Sequence, residues 1–368
     1  MIATLAASLG LSPDDPSFWM PLVFVGLLLL LMAAGIVLDG FDIGVGLLLQ
    51  LAPSEERGRM MGLLSPWRDA NEFWPLLGLG LFVSAFPFAW GGVLGKLFGP
   101  LTVMALGMVL RSVSFEFRIR ARTEIKPRWI FGFWVGSLLT ALGQGMVLGR
   151  IATDYQADSG YGWFAFFVGL CVMAAYALLG ACWLVMRVDG ELQRRAAGWA
   201  RHSIRWTAAG MVAIAVTLGL ANAGIFYKWS NTAHLGVAAM VWALMLLGFV
   251  AAEMLLARLP GKADGFSWLP FVLCVMLFVL MLCGLAYSFF PYLILDDMTI
   301  WDGSGALDSM RLVLAGTVIG VPVVLVFNIL AYRSVFGKGQ GNAHQQAARG
   351  RLAQFEPAAV GARDGLGQ

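Results

Sequence analysis

Two pairs of acids stand where acids are costly. The run Leu38-Asp39-Gly40-Phe41-Asp42-Ile43-Gly44-Val45-Gly46 closes one long apolar stretch, and Trp67-Arg68-Asp69-Ala70-Asn71-Glu72-Phe73-Trp74 opens the next. A carboxylate at the centre of a membrane helix costs roughly 2.5–3.5 kcal/mol on insertion scales, so each one needs a reason. Asp39 and Asp42 are three residues apart and share a helix face. Two carboxyls held that close suit a group that takes up and releases protons. The plainer alternative is that both lie solvated in a headgroup layer, since Asp39 comes about 20 residues into its run. Asp69 and Glu72 also have a plain reading, as first-turn acids favoured by the helix dipole, with Trp67 and Trp74 as interface anchors. The end of one span and the start of the next must reach the same membrane face, which brings the two pairs together.

Other polar groups carry weaker signals. Glu116, Arg118, Arg120 and Arg122 read as a basic cap after an apolar span. Gln144, between Gly143 and Gly145, fits a hydrogen bond across helices better than a ligand contact. Glu253 reads as solvated or paired with Arg258, and Thr299-Ile300-Trp301-Asp302 precedes the last apolar run. His202, His234 and His344 fall in a loop, at a helix edge and in the tail. Membrane haems usually take axial His or Met, so a chain with no mid-span histidine is expected to be a poor haem binder. Cys171, Cys182, Cys274 and Cys283 sit inside apolar runs at spacings that fit no metal or redox motif, and read as packing residues. Phosphate loops, dinucleotide fingerprints, nucleophile elbows and zinc spacings are absent from the sequence.

The elements that must position these residues are membrane helices. The chain is 59% hydrophobic and 13% charged, with mean hydropathy +0.77, whereas soluble domains carry about 25% charged residues. Apolar runs long enough to cross a bilayer are expected near 20–48, 73–92, 97–115, 129–150, 163–186, 206–227, 235–256, 268–290 and 311–332. A turn at Gly91, Gly92 and Gly95 is expected to divide the second from the third. The stretch before Met20 lacks a basic leader and carries Asp14 and Asp15, so the first run reads as a retained span. Of the 25 Lys and Arg, 21 fall on one set of alternating loops and the tail, which predicts N-out, C-in. Glycines four apart at Gly40/Gly44, Gly91/Gly95, Gly132/Gly136 and Gly145/Gly149 predict close helix approach. The segment 339–368 is expected to be a disordered cytoplasmic tail after a single transmembrane domain over 1–338.

Taken in order and depth, these motifs resemble subunit II of the cytochrome bd-type quinol oxidases. The resemblance rests on Asp39–Gly46, Asp69–Trp74, Phe115–Arg118, Gln144-Gly145, Thr299–Asp302, and Tyr332 with Phe336-Gly337. It implies an all-α polytopic fold of nine helices, two four-helix bundles and one peripheral helix, in a bacterial cytoplasmic membrane. It also implies a heterodimer whose subunit I binds quinol and ligates haem b and haem d (or b), with a small single-span subunit as a further partner. The complex would oxidise quinol and reduce O₂ to water. Asp39, Asp42 and Asp69 become candidates for a cytoplasmic proton path, and Asn71 and Trp74 would lie near the partner's haem. Where the family often has Trp-Asp-Gly-Asn, this chain has Arg68-Asp69-Ala70-Asn71. That departure suits the cyanide-insensitive branch and sets a salt bridge from Arg68 against a proton-carrying role for Asp69.

Two rival readings remain. A proton-coupled secondary transporter would use intramembrane acids, but it calls for broken helices and a midplane site. A purely structural partner of subunit I would carry the same acids for assembly alone.

Overall fold

The computed structural model describes residues 6–155, 158–259, 264–295 and 297–336. The expected tail over 339–368 lies outside the described residues. The chain forms one compact unit over Met1–Ala315 and a second from Gly316 onward.

Helix α1 (Pro16–Leu48) starts where its sequence favours a start. Asp15 is extended and its carboxylate accepts from the Ser17 amide at 2.8 Å, while Pro16 supplies a preset φ at the first position. α1 then runs 33 residues, about 50 Å at 1.5 Å per residue. A short helix α2 (Ser54–Leu64) links it to α3 (Arg68–Ala85). Helices α4 (Pro87–Arg120), α5 (Lys126–Ala152), α6 (Ser159–Arg187) and α7 (Glu191–Ala221) follow. The short α8 (Ala223–Ser230), then α9 (Thr232–Arg258) and α10 (Leu269–Phe289), lead into a hairpin of β1 (Tyr292–Ile294) and β2 (Met298–Thr299). Helix α11 (Leu307–Phe336) is last.

Among the described residues, eight helices are long and apolar enough to cross a membrane: α1, α4, α5, α6, α7, α9, α10 and α11. α3 is not one of them; it has 18 residues and opens on Arg68, Asp69 and Glu72. The break between α3 and α4 also differs from expectation. It falls at Phe86 (φ −127°, ψ 58°), and Gly91, Gly92 and Gly95 all lie inside α4. The cause is Pro87, whose ring disfavours a helical residue before it, whereas glycine in a membrane helix only weakens it. No side chain or backbone from another element would meet a Cβ at Gly91 or Gly95, so that pair supports no close approach.

The other glycine pairs do bring helices together. α4 and α5 run antiparallel, with Gly107 against Thr140, Gly136 against Arg111, Gly143 against Met104, and Gly132 against Ser114. A Cβ on Gly136 would stand 2.5 Å from the Arg111 amide nitrogen, so only glycine allows this contact. α1 is clasped in the same way: Gly40 lies under the Tyr176 ring, Gly44 against the Tyr176 carbonyl and Gly180, and Gly46 against Ser137. Lipid is as apolar as leucine, so helix association here depends on close packing and polar contacts, which small residues permit.

At the end of the bundle holding the start of α1 and the end of α3, the hairpin acts as a lid on the helix ends. The Trp301 indole donates to the Phe18 carbonyl at 2.9 Å and stacks on the Phe18 ring at 5.5 Å. The Gly305 amide satisfies the Ala85 carbonyl at the α3 terminus at 2.9 Å. Asp302 closes its own turn, accepting from the Thr299 amide at 3.1 Å and hydroxyl at 2.5 Å. The Thr299–Asp302 motif is thereby used up in backbone architecture.

Candidate functional site

The opposite end of α1 is different. Its last three turns carry Asp39 and Asp42, both fully buried. α3 runs antiparallel beside it, Gly35 meeting Pro75 and Gly78 meeting Leu31, which sets the first turns of α3 against Asp42. Arg68, Asn71, Trp74, Gly78 and Leu81 form the buried stripe of α3 at helical spacing, while Phe73 and Leu76 face outward. α4 supplies Arg111 and Ser112 nine and eight residues before its end.

These three helices assemble one ionic cluster. The Arg111 guanidinium forms a buried ion pair with Asp39 and a second with Glu72 Oε1 at 3.1 Å. Glu72 also accepts from Arg68 Nη2 at 2.7 Å and from the Ser112 hydroxyl at 3.0 Å. Arg68 is itself buried, with its guanidinium 4.5 Å from the centre of the Phe115 ring. Asp42 has no guanidinium in ion-pair range among the described residues; the Asn71 amide donates to its Oδ2 at 3.0 Å. Asp39 Oδ2, Asp42 Oδ1 and the Arg111 Nε and Nη1 nitrogens are buried with no protein partner among the described residues.

The residues singled out from sequence meet different fates. Asp39, Asp42 and Asn71 come together. Asp69 does not join them: its side chain is 78% exposed, and Arg68 Nη1 reaches it at 3.3 Å. Glu72, read as a first-turn acid, takes the inner place. Trp74 is buried within the chain, and its indole nitrogen has no partner among the described residues. Gln144 bonds across helices, accepting from the Tyr176 hydroxyl at 2.5 Å. Glu253 pairs with Arg205 at 3.0 Å and Arg201 at 3.8 Å on α7, not with Arg258, because α7 packs along α9 and presents both arginines to it. Arg118 donates to the Gly58 carbonyl at 3.0 Å, tying α2 to α4, so it is more than a surface cap. Arg111 and Ser112 were missed. Arg111 lies within the apolar run 97–115, and an arginine inside such a run is the signal that marks a buried ion pair.

Fold and site together define a polytopic helical membrane protein with a buried acid–guanidinium cluster at one end of its bundle. Residues 20–335 match the family model described as cytochrome bd terminal oxidase subunit II, and the chain belongs to that family. It is 23% identical over 372 aligned residues to the cytochrome bd-I ubiquinol oxidase subunit 2 of Escherichia coli K12, covering 86% of this chain and 93% of that one. It is 26% identical over 247 residues to the cytochrome bd ubiquinol oxidase subunit 2 of Bacillus subtilis, covering 63% and 70%. The solved bd oxidase of Geobacillus thermodenitrificans contains a chain of the same fold, with TM-score 0.72 and 16% identity over 87% of this chain and 99% of that one.

Proposed function

We propose that this chain is the second subunit of a bacterial quinol:O₂ oxidoreductase, set in the cytoplasmic membrane beside a haem-bearing subunit I. Its buried cluster would pass protons inward from the cytoplasm. The observation that carries this reading is the graded burial of three carboxylates at one end of the bundle. Side-chain exposure falls from 78% at Asp69 to 18% at Glu72 and 1% at Asp39. Such a series connects bulk water to a dry interior, and reduction of O₂ to water consumes protons as well as electrons.

Charge counting gives the cluster its proton. Arg68 and Arg111 face Asp39, Asp42 and Glu72, two cations against three carboxylates. An uncompensated buried charge is costly, so the set is neutral when it holds one proton. Asp42, with only the Asn71 amide beside it, is the carboxyl that holds that proton on this reading. Arg111 is a positioning residue: it holds Asp39 of α1 and Glu72 of α3 in line. Leaving a buried polar atom unsatisfied costs about 1–3 kcal/mol, so ordered water against Asp39 Oδ2 and Asp42 Oδ1 would both satisfy them and conduct. Asp69 serves as the exposed entry, and Asn71 and Trp74 back the surface that meets the partner near its haem.

His202 is exposed on α7, and the side chain of His234 and all of His344 lie outside the described residues. Groups of three His, Cys, Asp or Glu able to hold a metal ion are absent among the described residues. On this reading the haems, which supply electron transfer to O₂, are held by subunit I. α3 would be the ninth crossing, its inner-end charges buried by α1 and α4, and the Lys/Arg imbalance supports N-out, C-in.

The decisive experiment replaces Asp39 with Asn in the intact complex and measures quinol:O₂ turnover beside haem per complex. Slowed turnover at full haem content is expected. Unchanged turnover would remove the proton role, and haem loss in step with activity would leave only the structural-partner reading.

A further inference from the structure

α9 and α10 pack antiparallel, with Gly248 against Leu277 and Gly284 near Val241. At the end where α9 stops and α10 begins, a shallow groove of about 330 Å³ opens between them. It is lined by Ala251, Met254, Leu255, Leu269 and Leu273, with Arg258 at its mouth. Arg258 is exposed and makes no ion pair with any residue whose side chain is described. The only acid on α9, Glu253, is already held by Arg205 and Arg201 of α7. In sequence, Arg201, Arg205, Arg258 and Lys262 outnumber Glu253 and Asp264 at this end of the helices. Trp268 and Phe266 stand exposed beside the start of α10, at the level where aromatic rings sit among headgroups.

From these features we propose that the groove is a binding site for one anionic phospholipid, with its phosphate on Arg258 and one acyl chain between α9 and α10. The depth suits such a ligand. Arg258 and Ala251 are seven residues apart, about 10 Å of helix, so the groove descends from headgroup level into the hydrocarbon. Apart from Arg258, its lining side chains are apolar and offer no strong hydrogen bond to a polar substrate. A basic side chain where the helix leaves the membrane adds attraction for an anionic headgroup. This site lies on helices that contribute nothing to the acid–guanidinium cluster and stands independently of the oxidase reading.

The test uses the protein purified with its natural partner chains and stripped of lipid in detergent. Phosphatidylglycerol or phosphatidylcholine is added back, and bound lipids are counted by native mass spectrometry. The wild type should retain one phosphatidylglycerol in preference to phosphatidylcholine. Arg258→Gln should bind phosphatidylglycerol roughly fivefold more weakly and lose the headgroup preference, and Arg258→Lys should keep it. Leu255→Trp, which fills the groove, should lose that lipid whatever its headgroup. Equal lipid counts and preference in wild type and Arg258→Gln would overturn the proposal. So would an intact complex whose lipid count is unaltered by Leu255→Trp, or variants that shed a partner chain with lipid binding unchanged, since a protein surface would then cover the groove.

Discussion

Two acid–arginine contacts in this molecule have nearly the same length and opposite settings. Arg111 meets Glu72 at 3.1 Å, with side-chain exposures of 0% and 18%, and also holds Asp39. Arg205 meets Glu253 at 3.0 Å, with exposures of 67% and 32%. Distance alone would rank them equal. Burial separates them, because a buried charge left without its partner cannot be rescued by water, whereas an exposed one is resolvated at little cost. The first contact ties α4 to α1 and α3 in a dry interior. The second pins α7 to α9 and helps set the charge around the groove by Arg258.

The comparison can be broken by mutation, and the largest effect is expected at Arg111. Arg111→Ala leaves Asp39 and Glu72 without their shared cation and should cost about 3–5 kcal/mol, read as a fall in thermal denaturation midpoint and yield of intact complex. Gly136→Ala comes next. Its new methyl would press on the Arg111 backbone and drive α5 from α4, at about 1–3 kcal/mol in the same assay. Glu72→Gln should slow proton-coupled turnover roughly tenfold, equivalent to about 1.4 kcal/mol of barrier, with a smaller loss for Asp69→Asn, whose exposed place water can take. Equal losses for the two acids would refute the burial gradient as the basis of the path. Arg205→Ala should change stability by less than about 1 kcal/mol, and a drop as large as that of Arg111→Ala would show that burial does not separate the two contacts.

A separate effect, visible only at high pH, belongs to Tyr155, in the turn after α5. Burial, aided by the charge of Asp154, pushes its phenol from 10.0 up to about 12. Its folded form therefore holds the proton more tightly than its unfolded form. The associated stability is full below pH 10 and declines as pH rises through 12. Denaturation midpoints measured across that window should fall less steeply for Tyr155→Phe than for the wild type.

Much of the site could be read from residue types. Asp39 and Asp42 announced themselves because carboxylates in an apolar run have few explanations. Their meeting with the start of α3 followed from helix alternation. Gln144 was read as a bond across helices, but its partner Tyr176 carries no signal of its own, since a tyrosine in an apolar helix is ordinary. Arg111 was hidden by its neighbourhood: seven residues ahead of Arg118, it looked like the first of a basic cap. The exchange of Asp69 for Glu72 was also beyond sequence. Both acids lie in the same first turns, and which faces inward depends on how α3 rotates against α1.

By itself the sequence determined that this chain lives in a bilayer, where its apolar runs lie, and at which end acids gather. Those properties follow from transfer free energies, which add residue by residue along the chain. Only the tertiary structure decided that the helix break falls at Phe86, that Glu253 belongs to Arg205, and that Arg111 joins Asp39 and Glu72. Each of these depends on how helices rotate and cross, and in lipid that is settled by the close approach of glycine faces and the pairing of buried charges. Both are properties of pairs of surfaces that no single helix contains.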